Sequence, residues 1–282
     1  MPRLRTTILG LLLLAAPALA LATDNASLFQ PYQTLLERHL TEQELPGDGL
    51  VSAFDYEKAL QQEDTQTLLG QQADALAAFD PAGLEGKARS VAFWINAYNF
   101  FMIHQILTER PDGELVSSVW DYGGRRNPFR DNIFQRPLFT IGGQDYSLDQ
   151  MEKDILLGED YQQRGWMDAR VHFAVNCAAV GCPPLRKTIY TGDNLETLLT
   201  ENTRLALNTP RHLTIDGRTL RVSAIFDWYR MDFGEEAGSV RSFIRQWADT
   251  DVGARANQTN AIDYIDYDWA LNQPDNFPEL SQ

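Results

Sequence analysis

The residue types able to do chemistry concentrate in one stretch, Asp168-Ala169-Arg170-Val171-His172-Phe173-Ala174-Val175-Asn176-Cys177-Ala178-Ala179-Val180-Gly181-Cys182-Pro183-Pro184-Leu185. It holds both cysteines of the chain together with a His, an Arg and an Asn. Small residues between the cysteines let the backbone turn tightly or approach a ligand. Three kinds of chemistry fit. The first is a Cys177–Cys182 disulfide, which an oxidising compartment favours and which stabilises by about 2 kcal/mol for so short a loop. The second is nucleophilic attack by Cys177. A thiol near its reference pKa is mostly protonated at neutral pH, so it needs a base or a positive field. His172 is the nearest base, with Glu152 or Asn96 to orient it. The N–H groups of Ala178 and Ala179 are candidates for an oxyanion, and Arg170 for a substrate carboxylate. The third is redox exchange, although the spacing departs from Cys-x-x-Cys and no thioredoxin-like βαβ pattern surrounds it.

Position bears on the second reading. Residues 168–176 alternate as a strand, with Val171, Phe173 and Val175 on one face and Arg170, His172 and Asn176 on the other. An unbroken strand points His172 and Cys177 to opposite faces, so attack requires a turn at Asn176. The candidate catalytic residues are thus Cys177, His172 and Glu152. The candidate binding residues are Arg170, Asn176, Asn96 and Asn99.

The strand-to-loop segment resembles the domain of unknown function 547 family, in which a His-Phe-Ala strand runs into an Asn-Cys…Cys-Pro-Pro loop. Phe54-Asp55-Tyr56, Phe93-Trp94-Ile95-Asn96-Ala97-Tyr98-Asn99, Ile225-Phe226-Asp227-Trp228-Tyr229 and Asp232-Phe233 extend the resemblance over about residues 50–235. Where that family often has Glu-His after the hairpin, this chain has Glu152-Lys153. The resemblance implies no particular activity.

Positioning falls to elements legible from periodicity. Residues 88–107 form a helix apolar on nearly every face, which therefore runs through the core. Asn96 and Asn99 share one side of it and need hydrogen-bond partners there. Helices are also expected over 27–40, 57–62, 65–79, 193–207, 226–231 and 240–249, with a capped one starting at Ser147 and carrying Met151-Glu152. Residues 51–56 read as a strand or turn. Hairpins turn at Gly142-Gly143 and Asp216-Gly217. Residues 111–136 lack periodicity and read as a surface excursion. Helices and hairpins without βαβ alternation make the class α+β, with one globular domain over 23–282.

Elsewhere, His104 reads as a core residue, and His39 and His212 as surface or turn residues. The aromatics of 226–229 read as core anchors, with Asp227 available to orient a histidine. Arg125, Arg126 and Arg130 read as ion-pairing partners for the acidic surface, in preference to an anion-binding rim beside the site. No His-Glu-x-x-His spacing occurs, and Asp263, Asp266 and Asp268 lack the Gly and Glu of a calcium loop, so no metal or cofactor is expected.

Composition sets the outer bounds. Hydrophobic residues at 44% of 282 exclude a disordered chain. A net charge of −15 argues against nucleic-acid binding, which needs Lys and Arg on phosphates. Arg3 and Arg5, the apolar run Ile8–Ala16 and the small-x-small Ala20-Leu21-Ala22 read as a signal peptide over 1–22. Cleavage near Ala22 leaves no transmembrane segment and directs the mature chain, at −17, to a periplasm or the exterior. Two functions stand open. One is a thiol-dependent hydrolase or acyltransferase acting on peptide-like bonds through Cys177 and His172. The other is a non-catalytic binding or scaffold domain, stiffened by a Cys177–Cys182 bridge, whose partner is a small molecule or peptide.

Overall fold

The computed structural model describes residues 25–47, 49–124 and 131–281. The leader read over 1–22 and the arginines Arg125, Arg126 and Arg130 lie outside the described residues. Helices α1 (Asn25–Leu28) and α2 (Gln30–His39) turn Leu28, Tyr32, Leu35 and Leu36 inward. The chain then enters β1 (Leu40–Leu45), antiparallel to β2 (Gly49–Phe54), with Leu40 opposite Phe54 and Leu45 opposite Gly49. The polar Thr-Glu-Gln-Glu of β1 carries little strand signal; pairing with the apolar β2 decides its conformation. Asp55 caps α3 (Tyr56–Gln61) by accepting from the Lys58 N–H at 2.9 Å, and α4 (Glu63–Ala78) follows.

Helix α5 (Lys87–Thr108) is the spine: every residue from Ser90 to Ile103 is buried. It stops where Arg110-Pro111 disfavours another turn. The hairpin β3 (Phe139–Ile141) and β4 (Gln144–Tyr146) closes through Gly142 and Gly143, both at positive φ, which glycine adopts without strain. A π-helical turn, Gln150–Leu156, leads to α6 (Glu159–Gln163), a 3₁₀ turn at Ala169–Phe173, and α7 (Leu195–Leu207). The hairpin β5 (Leu213–Asp216) and β6 (Thr219–Ser223) precedes α8 (Ile225–Trp228), α9 (Arg230–Ala237), α10 (Val240–Trp247) and α11 (Thr250–Asn257). Strand β7 (Ala261–Ile265) then pairs parallel to β6. Small sheets packed among helices make the fold α+β. Among the described residues, no helix is long and apolar enough to cross a membrane.

Several expectations need correction. Residues 169–173 are a 3₁₀ turn, not a strand: Asp168 accepts from the Arg170 N–H at 3.2 Å, and the Val171 N–H bonds back to the Asp168 carbonyl at 3.0 Å. His39 and His212 are buried, His39 against Phe54 and His212 at the open end of the β5–β6 hairpin, where the Ser223 N–H bonds its carbonyl. The 111–136 excursion is partly internal, since Val116, Val119, Tyr122 and Ile133 join the core. Trp228 is about half exposed, so only Phe226 of that cluster is a full core anchor.

Candidate functional site

The 169–173 turn lies where two apolar clusters meet. Val171 packs into the cluster around α5, and Phe173 into a second one with Phe226, Phe233 and Phe243. Successive residues anchored in different clusters fix the backbone on both sides of His172. The anchoring is reinforced at Asp168, whose carboxylate grips the Arg170 guanidinium at 2.7 and 2.9 Å. Burial alone raises the Asp168 carboxyl, but Arg170 and Lys87 hold it below its ordinary value. Arg170 also meets Glu196 at 2.8 Å, Thr200 at 2.9 Å and the face of Trp247 at 4.3 Å. Its donors are therefore committed to the fold, and it does not line the cleft described below.

His172 is clamped. Its Nε2 lies 2.8 Å from Asp232 Oδ2 on α9, its Nδ1 lies 3.6 Å from Glu152 Oε1, and its ring stacks on Tyr229 at 3.9 Å between centroids. The first distance is a charge-assisted hydrogen bond; the second is an ion-pair approach without one. Burial pulls the imidazole pKa down, yet Asp232 and Glu152 together bring it above its ordinary value, which favours the imidazolium form. Glu152 reaches this position from the π-helical turn, entered through reciprocal bonds between Ser147 and Gln150 at 2.8 and 3.1 Å. Such turns insert one extra residue and re-aim side chains. Asp227, read as available to orient a histidine, pairs instead with Arg230 at 2.8 Å.

Cys177 and Cys182 are joined by a disulfide. A free Cys177 thiol is thus absent from this structure, and the geometric objection to His172 and Cys177 sharing a side falls away with the strand. The loop is braced by buried asparagines. Asn99 bonds the Ala174 carbonyl and the Asn176 N–H at 2.9 and 2.8 Å. Asn176 spans the loop to the Pro183 carbonyl at 2.9 Å and accepts from the Ala178 N–H, also at 2.9 Å. The Ala178 N–H is therefore not free for an oxyanion. Asn96 bonds both the N–H and the carbonyl of Tyr190, at 2.9 and 2.6 Å. Asn96, Asn99 and Asn176 thus act on backbone groups, as buried amides must.

The disulfide, His172 and Glu152 converge on one cleft of about 490 Å³. One wall is aromatic, and apart from Trp228, which was read as a core anchor, its residues carry no motif of the sequence. Trp120, Trp269, Tyr267 and Trp228 touch in series, with centroids 5.0, 4.6 and 4.9 Å apart. Tyr267 Oη stands 3.2 Å from Cys177 Sγ and 3.1 Å from Cys182 Sγ. Burial, then the Glu152 charge, push its pKa far up, so the hydroxyl keeps its proton and donates. Gly181 allows this approach: its N–H bonds the Asp268 carbonyl at 2.8 Å, and a Cβ there lies 3.0 Å from Asp268 backbone atoms. Among the described residues, no group of three or more His, Cys, Asp or Glu forms a metal site.

Residues 81–205 match the family model described as protein of unknown function, DUF547. The chain thus carries a DUF547 segment. No curated protein and no solved structure matches it. The DUF547 match is narrower than the 50–235 span of the motifs, and it divides the site. Glu152, His172, Cys177, Cys182 and the bracing asparagines Asn96, Asn99 and Asn176 fall inside it, whereas Asp232, Tyr229 and most of the aromatic wall fall outside. Asp232 had one sequence signal, its place in the Asp232-Phe233 motif; Tyr267 and Trp269 had only the aromatic character of the tail.

Proposed function

We propose that this protein is a binding domain for a small organic ligand that carries an ammonium or similar cation on an apolar body. The observation that carries this reading is the serial wall of Trp120, Trp269, Tyr267 and Trp228 in the cleft that Glu152 lines. Aromatic faces attract cations and cover apolar surface, and a carboxylate adds a charged acceptor. The charges support the same sign. Lys153 is paired with Asp149 at 2.8 Å, so the His172 imidazolium is left to balance two carboxylates, Glu152 and Asp232. The excess is one negative charge.

Acid–base hydrolysis is supported less well. Both nitrogens of His172 face carboxylates, which stabilise its protonated form and disfavour it as a base, and the sulfur of Cys177 is in a disulfide. We further propose that the protein works in an oxidising compartment after removal of residues 1–22. The leader-like sequence and the bridge support that reading.

Tryptophan fluorescence with matched probes tests the ligand class. Phenethylamine should produce a saturable change, and phenylacetate, the same ring with the opposite charge, should not. Glu152→Gln should weaken phenethylamine binding by about tenfold or more, the worth of one hydrogen bond to a charged group. Equal binding of both probes, or an unchanged affinity in the variant, overturns the proposal.

A further inference from the structure

We propose that the Cys177–Cys182 disulfide is a thiol–disulfide exchange site, at which an incoming small-molecule thiolate attacks Cys177 Sγ and Cys182 departs. This does not rest on the identity of the cleft's ligand. Three observations carry it. First, the bridge lines the cleft, and its two ends differ in access: Cys177 is partly exposed, whereas Cys182 is buried. Exchange rates depend on which sulfur can be reached. Second, the buried sulfur is the better solvated by the protein. Cys182 Sγ faces the Cys177 N–H at 3.0 Å and the Tyr267 hydroxyl at 3.1 Å, two donors aimed at the atom on which charge develops. Cys177 Sγ has Tyr267 alone, at 3.2 Å, and one hydroxyl proton serves one sulfur at a time.

Third, the loop is held without the bridge. Asn176 bonds the Pro183 carbonyl across it, the Val180 and Gly181 N–H groups bond the tail at 2.8 Å, and the Asn272 N–H bonds the Ala178 carbonyl at 3.0 Å. Opening the disulfide therefore costs about the loop-closure contribution and leaves these anchors in place.

The attacking thiolate forms a new S–S bond to Cys177, the Cys177–Cys182 bond breaks, and its electron pair stays on Cys182 as thiolate. A second thiolate attacks the external sulfur of the mixed disulfide, releasing a small-molecule disulfide and the Cys177 thiolate. Water protonates both cysteines. Two thiols are oxidised and one protein disulfide is reduced, and the reverse direction oxidises the dithiol with a small disulfide.

The test uses the oxidised full chain and 2-mercaptoethanol, quenched with N-ethylmaleimide at short times and mapped by mass spectrometry. The expected product carries mercaptoethanol on Cys177 and maleimide on Cys182, in protein whose near-ultraviolet circular dichroism is native. Tyr267→Phe should slow the opening by about tenfold, the loss of one charge-assisted donor. An adduct on Cys182, a bridge that opens only in denaturant, or an unchanged rate in a folded Tyr267→Phe variant overturns the proposal. If that variant does not fold, the position of the adduct in the wild-type chain still decides.

Discussion

The clamp on His172 makes a prediction whose sign and size follow from geometry. Asp232→Asn keeps the shape of the side chain and an acceptor near Nε2 but removes the charge. Hydrogen bonds to charged groups contribute about 1.5–3 kcal/mol. Asp232 is 22% exposed, which screens part of this, and Glu152 still faces Nδ1 at 3.6 Å, so the imidazolium is not stranded. The expected loss is about 2 kcal/mol, or about 4 °C in Tm for a chain of this length. A His whose folded pKa is raised contributes stability that is complete below the unfolded value near 6.5 and is lost as pH climbs through the folded value. Lowering that folded pKa removes the contribution earlier. The gap between wild type and variant is therefore widest at pH 6 and closes in alkaline solution, where His172 is neutral in both. Urea unfolding at pH 6 and pH 9.5 measures the two gaps, and an NMR titration of the ring protons reads the pKa directly. A gap of equal size at both pH values, or a His172 pKa unmoved by the substitution, refutes the clamp.

Three further expectations rest on other parts of the fold. Replacing both cysteines by serine should lower stability by about 2 kcal/mol, and wild type under reductant should fall to the same level; a loss well above this would show that the loop depends on the bridge. His212, buried and with its pKa lowered to about 3 by burial and then by Arg211, stays neutral in the fold while the unfolded chain protonates it below about 6.5. Stability thus declines as pH falls, and His212→Gln should lose about 2 kcal/mol less than wild type between pH 6 and 4.5 by urea titration; parallel curves refute this. Asn96→Ala strands two buried backbone groups of Tyr190 and should cost about 2–4 kcal/mol, while a loss under about 1 kcal/mol means that water replaces the amide.

What the sequence made legible is what repeats along it. The apolar run of α5, the Gly142-Gly143 and Asp216-Gly217 turns and the spacing of Cys177 and Cys182 each carry a local signal. Asn96 and Asn99 were read as needing partners because nothing around them in a buried helix is polar, and the partners are backbone groups of residues 174, 176 and 190. The strand reading of 168–176 failed for a physical reason. Alternation predicts a strand only where a neighbour supplies ladder bonds, and here Asp168 offers a local cap instead. His212 looked exposed because it adjoins a turn, yet it is buried at the open end of the β5–β6 hairpin, where its carbonyl accepts from the Ser223 N–H. Asp232 and Tyr267 were illegible as site residues, since each meets its partner across 60 or more positions of chain.

The division of the cleft between matched and unmatched sequence has a mechanical consequence. The DUF547 segment supplies the parts that demand exact backbone placement: the bracing asparagines, the bridged loop and the imidazolium between its carboxylates. The later part of the chain supplies Asp232, the hydroxyl against the sulfurs and most of the aromatic surface. Those contributions come from α8, α9 and a tail held by main-chain bonds to residues 178, 180 and 181, so the loop geometry does not depend on their side chains. The pairing of Gly181 with Asp268 is the joint on which both halves depend, because a Cβ there stands 3.0 Å from the Asp268 backbone and the Tyr267 ring and crowds the segment that carries the donor to Cys182.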